Sequence, residues 1–280
     1  MSYFKIKSFA KINLALNVIG RKKTLHKIES IVSFIDLYDE ILIKKINNEK
    51  HKIRFIGKFS KKISSNNTIS QLLLIIDKRK LLKNKFEIIV KKNIPQEAGL
   101  GGGSMNAASI LNFFIKKKLI KIKKKMITKI CDSIGSDVKL GIYSKNLILS
   151  SNNSIKTFSS KKKLYTLIVK PNFGCSTKDI YLRVKNYSNS QFNYASKQMF
   201  SLNFLKNMRN DLEPIAINKY PKLKILKVFL EKLSKYEFIR MTGSGSAIIV
   251  YFNSAKKCKD SEKKVKKQFR NYWCKTSKTI

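Results

Sequence analysis

PQEAGLGGGSMNAA, residues Pro95 to Ala108, sets Gly99, Gly101, Gly102 and Gly103 within five positions, with Ser104 directly behind them. The run FEIIV, Phe86 to Val90, reads as a strand ahead of this loop. Behind it, Ala107, Ile110, Leu111 and Phe114 follow the i, i+3, i+4, i+7 spacing of a helix with one buried face. Phosphate oxygens need several backbone N–H donors converging on one point, and glycine lets the chain approach closely and take left-handed dihedrals. The following helix aims its free N–H groups and the positive end of its dipole at the anion. Ser104 adds a hydroxyl at or near the N-cap, where it can cap the helix or touch phosphate. A plain strand-to-helix turn needs fewer glycines than this, so the loop reads as an anion site. It does not end in Gly-Lys-Ser/Thr, which excludes a Walker A loop, and its G-L-G-G-G-S spacing is not the dinucleotide pattern G-x-G-x-x-G.

Outward from the loop the pattern is mixed α+β. Lys5 to Val18 reads as strands meeting at a turn, Ile28 to Leu37 as β-rich, and Ile41 to Ile46 and Ile53 to Phe55 as short strands. Thr68 to Ile76 has helical spacing, and a further helix is expected around Lys124 to Ser133. The polar stretch Ser150 to Lys163 reads as a linker or hairpin loop, which sets a boundary near residue 155 and two domains, 1–155 and 156–280. Beyond it, LYTLIV (Leu164 to Val169) and AIIVYF (Ala247 to Phe252) read as strands, and Leu202 to Met208 and Lys222 to Leu233 as helices. Tyr181 and Phe192 fall in a loop-rich region, and Ala255 to Phe269 reads as a basic helix exposed on most of its face.

The chain has 280 residues, 43% of them hydrophobic, enough for a sizeable core. Sixty Lys and Arg stand against seventeen Asp and Glu, a formal net charge of +43. Such a surface attracts polyanions, including nucleic acid, anionic membranes and phosphorylated metabolites. The basic residues are spread along the chain, which favours a compositional origin over a dedicated nucleic-acid surface. Cys131, Cys175, Cys258 and Cys274 form no C-x-x-C pair and only two His are present, so structural zinc and a disulfide framework are disfavoured and free thiols in a reducing cytoplasm are expected. No apolar stretch reaches membrane-span length, and lysines interrupt the N-terminal segment where a signal peptide would be apolar.

Three further segments matter. In SFAKINLAL, Ser8 to Leu16, Lys11 interrupts an apolar strand, where a lysine ordinarily snorkels to solvent. In Gly135-Ser136-Asp137-Val138, one of few acidic residues follows Gly-Ser, a place that ordinarily marks a turn or cap. In RMTGSGSAIIVYF, Arg240 to Phe252, Gly243 and Gly245 bracket Ser244 ahead of a strand, which a tight turn alone would explain.

Taken in register, these segments resemble the motifs of the GHMP kinases. The triple glycine followed by S-x-N-A-A is most similar to the branch acting on diphosphocytidyl methylerythritol. SFAKINLAL resembles that branch's P-A-K-[IL]-N-L, with Phe9 for proline, and GSDV its G-[AS]-D-V-P, with Lys139 for proline. Thr24-Leu25-His26 aligns with its G-Y-H, keeping only the histidine, and Ser176 to Tyr181 with its S-T-x-x-[IV]-[YF]. Asn210-Asp211-Leu212-Glu213 matches its N-D-L-E, so the resemblance runs from about Lys7 to about Phe252 and leaves the basic tail outside.

The resemblance implies an α+β, two-domain GHMP kinase fold, with a ribosomal-protein-like N-terminal ATP-binding domain and a ferredoxin-like C-terminal domain. It implies ATP and Mg²⁺, with ATP at Pro95, Ala98, Gly99, Leu100, Gly101, Gly102, Gly103, Ser104 and Asn106. It implies Lys11 and Asp137 as catalytic residues. It implies substrate contacts from Asn13, His26, Thr177, Tyr181, Thr242, Gly243 and Ser244, with His26 at the cytosine edge and Tyr181 stacking on the ring. The expected reaction is phosphorylation of a hydroxyl on a small diphosphocytidyl sugar alcohol, in the cytoplasm, with no membrane and no specific nucleic-acid partner. The oligomeric state and the metal ligands stay open. Two other readings stand beside this one: a GHMP kinase for homoserine or mevalonate, and a basic RNA-binding protein. An RNA binder has no need of a lysine, an aspartate and a glycine loop in this combination.

Overall fold

A computed structural model describes residues 2–22, 25–159 and 163–280. The chain divides into two compact units. The first comprises Met1–Lys11, Leu37–Gln96 and Gly101–Ser144, the second Ile12–Asp36, Glu97–Leu100 and Lys145–Ile280. Strands β1 (Phe4–Lys22) and β2 (Leu25–Ile46) each give one part to either unit. They are longer than the sequence pattern predicts. Lys5 to Val18 is one strand and not two meeting at a turn, and Ile28 to Leu37 runs on into Ile41 to Ile46. Neither stretch contains glycine or proline to turn the chain. Thr24, in the G-Y-H alignment, lies outside the described residues.

In the first unit, β3 (Lys52–Ile56) runs parallel to the later β4 (Lys85–Lys91), with α1 (Thr68–Lys78) between them in sequence, and β4 pairs antiparallel with Glu40 to Ile46 of β2. Asn67 caps α1, its side chain accepting from the N–H groups of Ile69 and Ser70. Helices α2 (Gly102–Lys116), α3 (Lys124–Ile134) and α4 (Val138–Tyr143) follow. The core sets Ile41, Ile43, Ile88 and Val90 of the sheet against Leu72 and Ile76 of α1 and Ala107, Ile110, Leu111 and Phe114 of α2. The helical spacing read after the glycine loop is therefore the buried face of α2.

In the second unit, β5 (Asn146–Leu149) pairs with Ser30 to Val32 of β2 and with β6 (Ile155–Phe158), so the polar stretch turns a hairpin at Ser150 to Ser154, while its residues 160–162 lie outside the described residues. Then come β7 (Tyr165–Lys170), α5 (Thr177–Leu182), α6 (Leu202–Lys206), α7 (Leu212–Lys219), α8 (Pro221–Glu231), β8 (Phe238–Met241), β9 (Ile248–Phe252), α9 (Ala255–Gln268) and β10 (Trp273–Lys278). A second sheet has the order β10-β7-β9-β8, antiparallel throughout. One reading changes here. Tyr181 lies on α5 and not in a loop, because Ser176 caps that helix by accepting from Asp179 N–H. The basic tail forms the expected helix, α9, exposed on most of its face, with Cys258 and Val265 buried in the core; behind it β10 forms an edge of the second sheet.

All four cysteines are buried and unpaired. Burial pushes their thiols up to about 12 for Cys131 and Cys258 and about 11 for Cys175 and Cys274, which leaves them inert at neutral pH. Among the described residues no helix is long and apolar enough to cross a membrane, and no group of three or more His, Cys, Asp or Glu could hold a metal ion.

Candidate active site

Within the first unit, Lys11, Asp137 and the start of α2 come together. Lys11 is only 3% exposed, and its Nζ lies 3.1 Å from Asp137 Oδ2. It does not snorkel to solvent: its charge is held at the end of a buried stem. Asp137 occupies the N-cap position of α4, yet its side chain makes no capping hydrogen bond. The carboxylate turns to Lys11 instead, with about a third of the side chain open to solvent. A turn or cap aspartate would have spent that oxygen on its own helix.

Gly101 is the N-cap of α2 in the left-handed conformation, φ +68°, and no side chain caps this helix. A Cβ at Gly101 would lie 2.8 Å from Lys11 Cγ and 3.0 Å from Cε, so the lysine stem packs directly on the loop. The helix begins at Gly102, which puts Ser104 at the third helical position, near the cap but not on it. Its first ladder bond runs from Met105 N to Gly101 O, so the leading N–H groups of Gly102, Gly103 and Ser104 form a ready anion site. Thr68, at the start of α1, fixes the loop by donating to Gly103 O at 2.8 Å.

Beneath the loop lies a buried carboxylate that the sequence pattern did not single out. Asp39, fully buried, accepts from Lys92 Nζ, from Asn93 N at 2.7 Å, from Ile94 N at 2.9 Å and from Asn106 Nδ2 at 2.9 Å. It thus ties the end of β4 to the first turns of α2, the two ends of the glycine segment. Asn106 is 1% exposed; its Nδ2 is committed to this hub, while its buried Oδ1 has no hydrogen-bond partner among the described residues. Pro95 is buried as well. No local signal in DLYDEI marks Asp39, since its partners lie more than fifty residues away.

Within the second unit, Ala98, Gly99 and Leu100 lie against the turn at residues 242–247. Ser246 N donates to Glu97 O, Ala247 N to Ala98 O, and Thr242 Oγ1 to Gly99 O at 3.1 Å. Gly99 has φ +72°, and a Cβ there would collide with the Thr242 carbonyl oxygen. Thr242 Oγ1 also accepts from Asn13 N at 3.0 Å, and Asn13 Nδ2 donates to Ser30 Oγ at 2.8 Å. Asn210, from the N-D-L-E segment, donates to both Met241 O and Gly243 O at 2.8 Å and so shapes the T-G-S-G-S turn. Ser244 is joined to Thr177 of α5 by a hydroxyl pair at 2.8 Å.

His26 and Tyr181 also meet in this unit, ring centroids 5.1 Å apart and planes 36° apart. His26 sits on strand β2, half-buried, and partial burial with Arg21 nearby lowers its pKa below the ordinary histidine value. Its imidazole is therefore neutral at physiological pH and can accept or donate at a base edge. Tyr181 packs partly on the core while keeping one side open, so it is neither wholly a core aromatic nor a free one.

Comparison with known proteins bears on this arrangement. Residues 67–145 match the family described as GHMP kinases N terminal domain. The 4-diphosphocytidyl-2-C-methyl-D-erythritol kinase of Pelagibacter ubique is 58% identical over 281 residues, covering 100% of both chains. Among solved structures, a 4-(cytidine 5'-diphospho)-2C-methyl-D-erythritol kinase superposes with a TM-score of 0.79 at 19% identity, covering 98% of this chain and 99% of that one. A homoserine kinase from Cytophaga hutchinsonii gives 0.74 at 16% identity, covering 100% of this chain and 95% of that one. The two structural likenesses show the fold. The full-length identity reaches through the basic tail, beyond the span of the motifs.

Proposed function

The chain belongs to the 4-diphosphocytidyl-2-C-methyl-D-erythritol kinases, within the GHMP kinases, and from that premise we propose how its residues perform ATP-dependent phosphorylation of the substrate's 2-hydroxyl, a step of isoprenoid precursor synthesis. The observation that carries the chemistry is the buried Lys11 beside Asp137, with its stem packed on Gly101. The hydroxyl oxygen attacks the γ-phosphorus, a new O–P bond forms, the bond to the β-phosphate bridging oxygen breaks, and Asp137 accepts the hydroxyl proton. Lys11 lies beside the carboxylate, where its charge meets the negative charge building on the attacking oxygen and the phosphoryl group. The triphosphate is received by the uncapped N–H groups at the start of α2, from Gly102 to Ser104. Phosphoryl transfer depends mostly on positioning and electrostatics, so an aspartate without a histidine partner suffices.

Mg²⁺ fits the donor set. It keeps several waters and binds through substrate phosphates and few protein groups, so a single hydroxyl beside the free N–H groups that start α2 is a fitting donor. The Ser104 hydroxyl, in the first turn of α2, is the protein group we assign to it. Bound there, the ion would neutralise charge on the transferring phosphoryl group.

His26 and Tyr181 would read the cytidine handle, the first at the base edge and the second on its face. Asn13, Thr177 and the turn of Thr242, Gly243 and Ser244 are assigned to the rest of the substrate. Four buried thiols suit a reducing cytoplasm. The test is a kinase assay with ATP and a panel of alcohols comprising the diphosphocytidyl methylerythritol, its bare methylerythritol phosphate analogue, homoserine and mevalonate. Preferred turnover of the first is expected. Equal turnover of the first two would refute the handle assignment, and preference for either of the last two would refute the substrate.

A further inference from the structure

His26 has a second aromatic neighbour. The ring of Tyr187 lies with its centroid 6.5 Å from that of His26, tilted by 52°, with His26 contacting Tyr181 as well. Tyr187 is 48% exposed, a large ring open to solvent in the polar run KNYSNS. An exposed tyrosine is ordinarily mobile, but the chain here is held down at the next residue. Ser188 N donates to Val18 O at 2.8 Å, and Ser188 Oγ donates to Asp211 Oδ2 at 2.7 Å and accepts from Arg209 Nη2 at 3.0 Å. Asp211 Oδ2 also accepts from Val18 N at 2.8 Å, which locks this segment to β1. A few residues on, the fully buried Glu29 accepts from Ser190 Oγ, Gln191 N and Phe192 N as well as Asn17 Nδ2. Two anchors thus fix a segment whose one large ring stays open beside His26, tilted against it. Rigid rings with open faces are what a flat, uncharged base stacks on.

Position 25 is the complementary observation. The residue before His26 is Leu25, 72% exposed, so this neighbour offers the histidine no π-face. We propose that Tyr187 is a specificity-determining residue, completing with His26 and Tyr181 a three-ring platform for the pyrimidine of the cytidine diphosphate handle and supplying the ring that Leu25 does not. The proposal rests on the functional reading above. It also gives Asp211 of the N-D-L-E segment a task, that of holding Ser188 and hence Tyr187 in place.

The test is steady-state kinetics of the full-length chain with ATP and the diphosphocytidyl methylerythritol, together with titration of cytidine diphosphate and of plain pyrophosphate. Tyr187→Ala is expected to raise KM for the alcohol by about five- to tenfold, the lower end of base stacking, while kcat and KM for ATP stay within about twofold. Tyr187→Phe should keep the wild-type KM, and Leu25→Tyr placed in the Tyr187→Ala chain should recover most of the loss. A folded Tyr187→Ala variant with unchanged KM overturns the proposal alone. So does a Tyr187→Phe variant as impaired as the alanine, since the hydroxyl and not the ring would then matter. A wild-type chain that binds cytidine diphosphate no better than pyrophosphate overturns both this assignment and the handle reading.

Discussion

Gly101→Ala probes the packing of Lys11 on the glycine loop. The residue has φ +68°, so an L side chain there costs about 1–2 kcal/mol. The new methyl would also meet Lys11 Cγ and Cε at 2.8 and 3.0 Å, and Lys11, 3% exposed, has little room to yield. Pushing the stem off its rotamer adds about 0.5–1.5 kcal/mol. The reduced freedom of the unfolded chain returns about 0.4–1 kcal/mol. The net destabilisation is about 0.5–3 kcal/mol, a drop of roughly 1–12 °C in Tm for a chain of this size. Activity should suffer more, because an ångström of misplacement at a reacting group can lower the rate by about a hundredfold. Thermal melts and steady-state kinetics with ATP measure both effects. Gly103→Ala is the stability control. Gly103 has no left-handed φ and its helical position favours alanine, while its Cβ would meet Thr68 Oγ1 at 3.3 Å, a few tenths of an ångström too close, so a smaller fall in Tm than for Gly101→Ala is expected. Wild-type Tm and kcat in Gly101→Ala would refute the packing of Lys11 on the loop.

The remaining expectations concern the supports of the first unit. Asp39→Asn leaves Lys92, 4% exposed, without its carboxylate and should destabilise the chain by about 3–5 kcal/mol, read by urea unfolding; a loss under 1 kcal/mol would show that Asp39 is not the hub described. His51 Nδ1 accepts from Phe86 N at 2.9 Å, so the neutral ring carries its proton on Nε2 and donates to Asp77 Oδ1 at 3.2 Å. Burial, partly opposed by Asp77, lowers its pKa, so the stability it contributes is present above about 6.5 and lost as pH falls through its lowered folded value. Tm measured from about pH 5 to 8 should fall on the acid side, and His51→Gln should flatten that fall.

The parts of the site carried by local pattern were legible in the sequence. The glycine loop with its helix is a short-range signal. Lys11 and Asp137 read locally as a snorkelling lysine and a turn aspartate, and the GHMP resemblance singled them out. The structure brings the three within hydrogen-bonding or van der Waals reach. What pattern hid was long-range. Asp39 and Glu29 are buried acids whose donors lie far along the chain, so nothing beside them in sequence marks them as hubs. The strands are longer than the pattern suggests because β-rich runs interrupted by polar residues look like separate strands, although no glycine or proline breaks Lys5 to Val18 or Ile28 to Ile46. Strand β10, WCKTSK, has little apolar alternation and is defined by its partner β7. Helix α5 had a usable signal, since Ser176 and Asp179 have the spacing of a capping box. Tyr187 had none, because only the fold brings it beside His26.

The most direct test of the chemistry is kcat of Asp137→Asn, with ATP affinity measured on the same folded preparation. The substitution keeps the shape beside Lys11 and removes the base, so kcat should fall by about 10²- to 10⁴-fold while ATP still binds. Lys11→Ala should lose a comparable factor, and the double variant should lose less than the product of the two, because the pair acts as a unit. Near wild-type kcat in folded Asp137→Asn would contradict the assignment of Asp137 as the base and leave positioning by the glycine loop as the source of the rate.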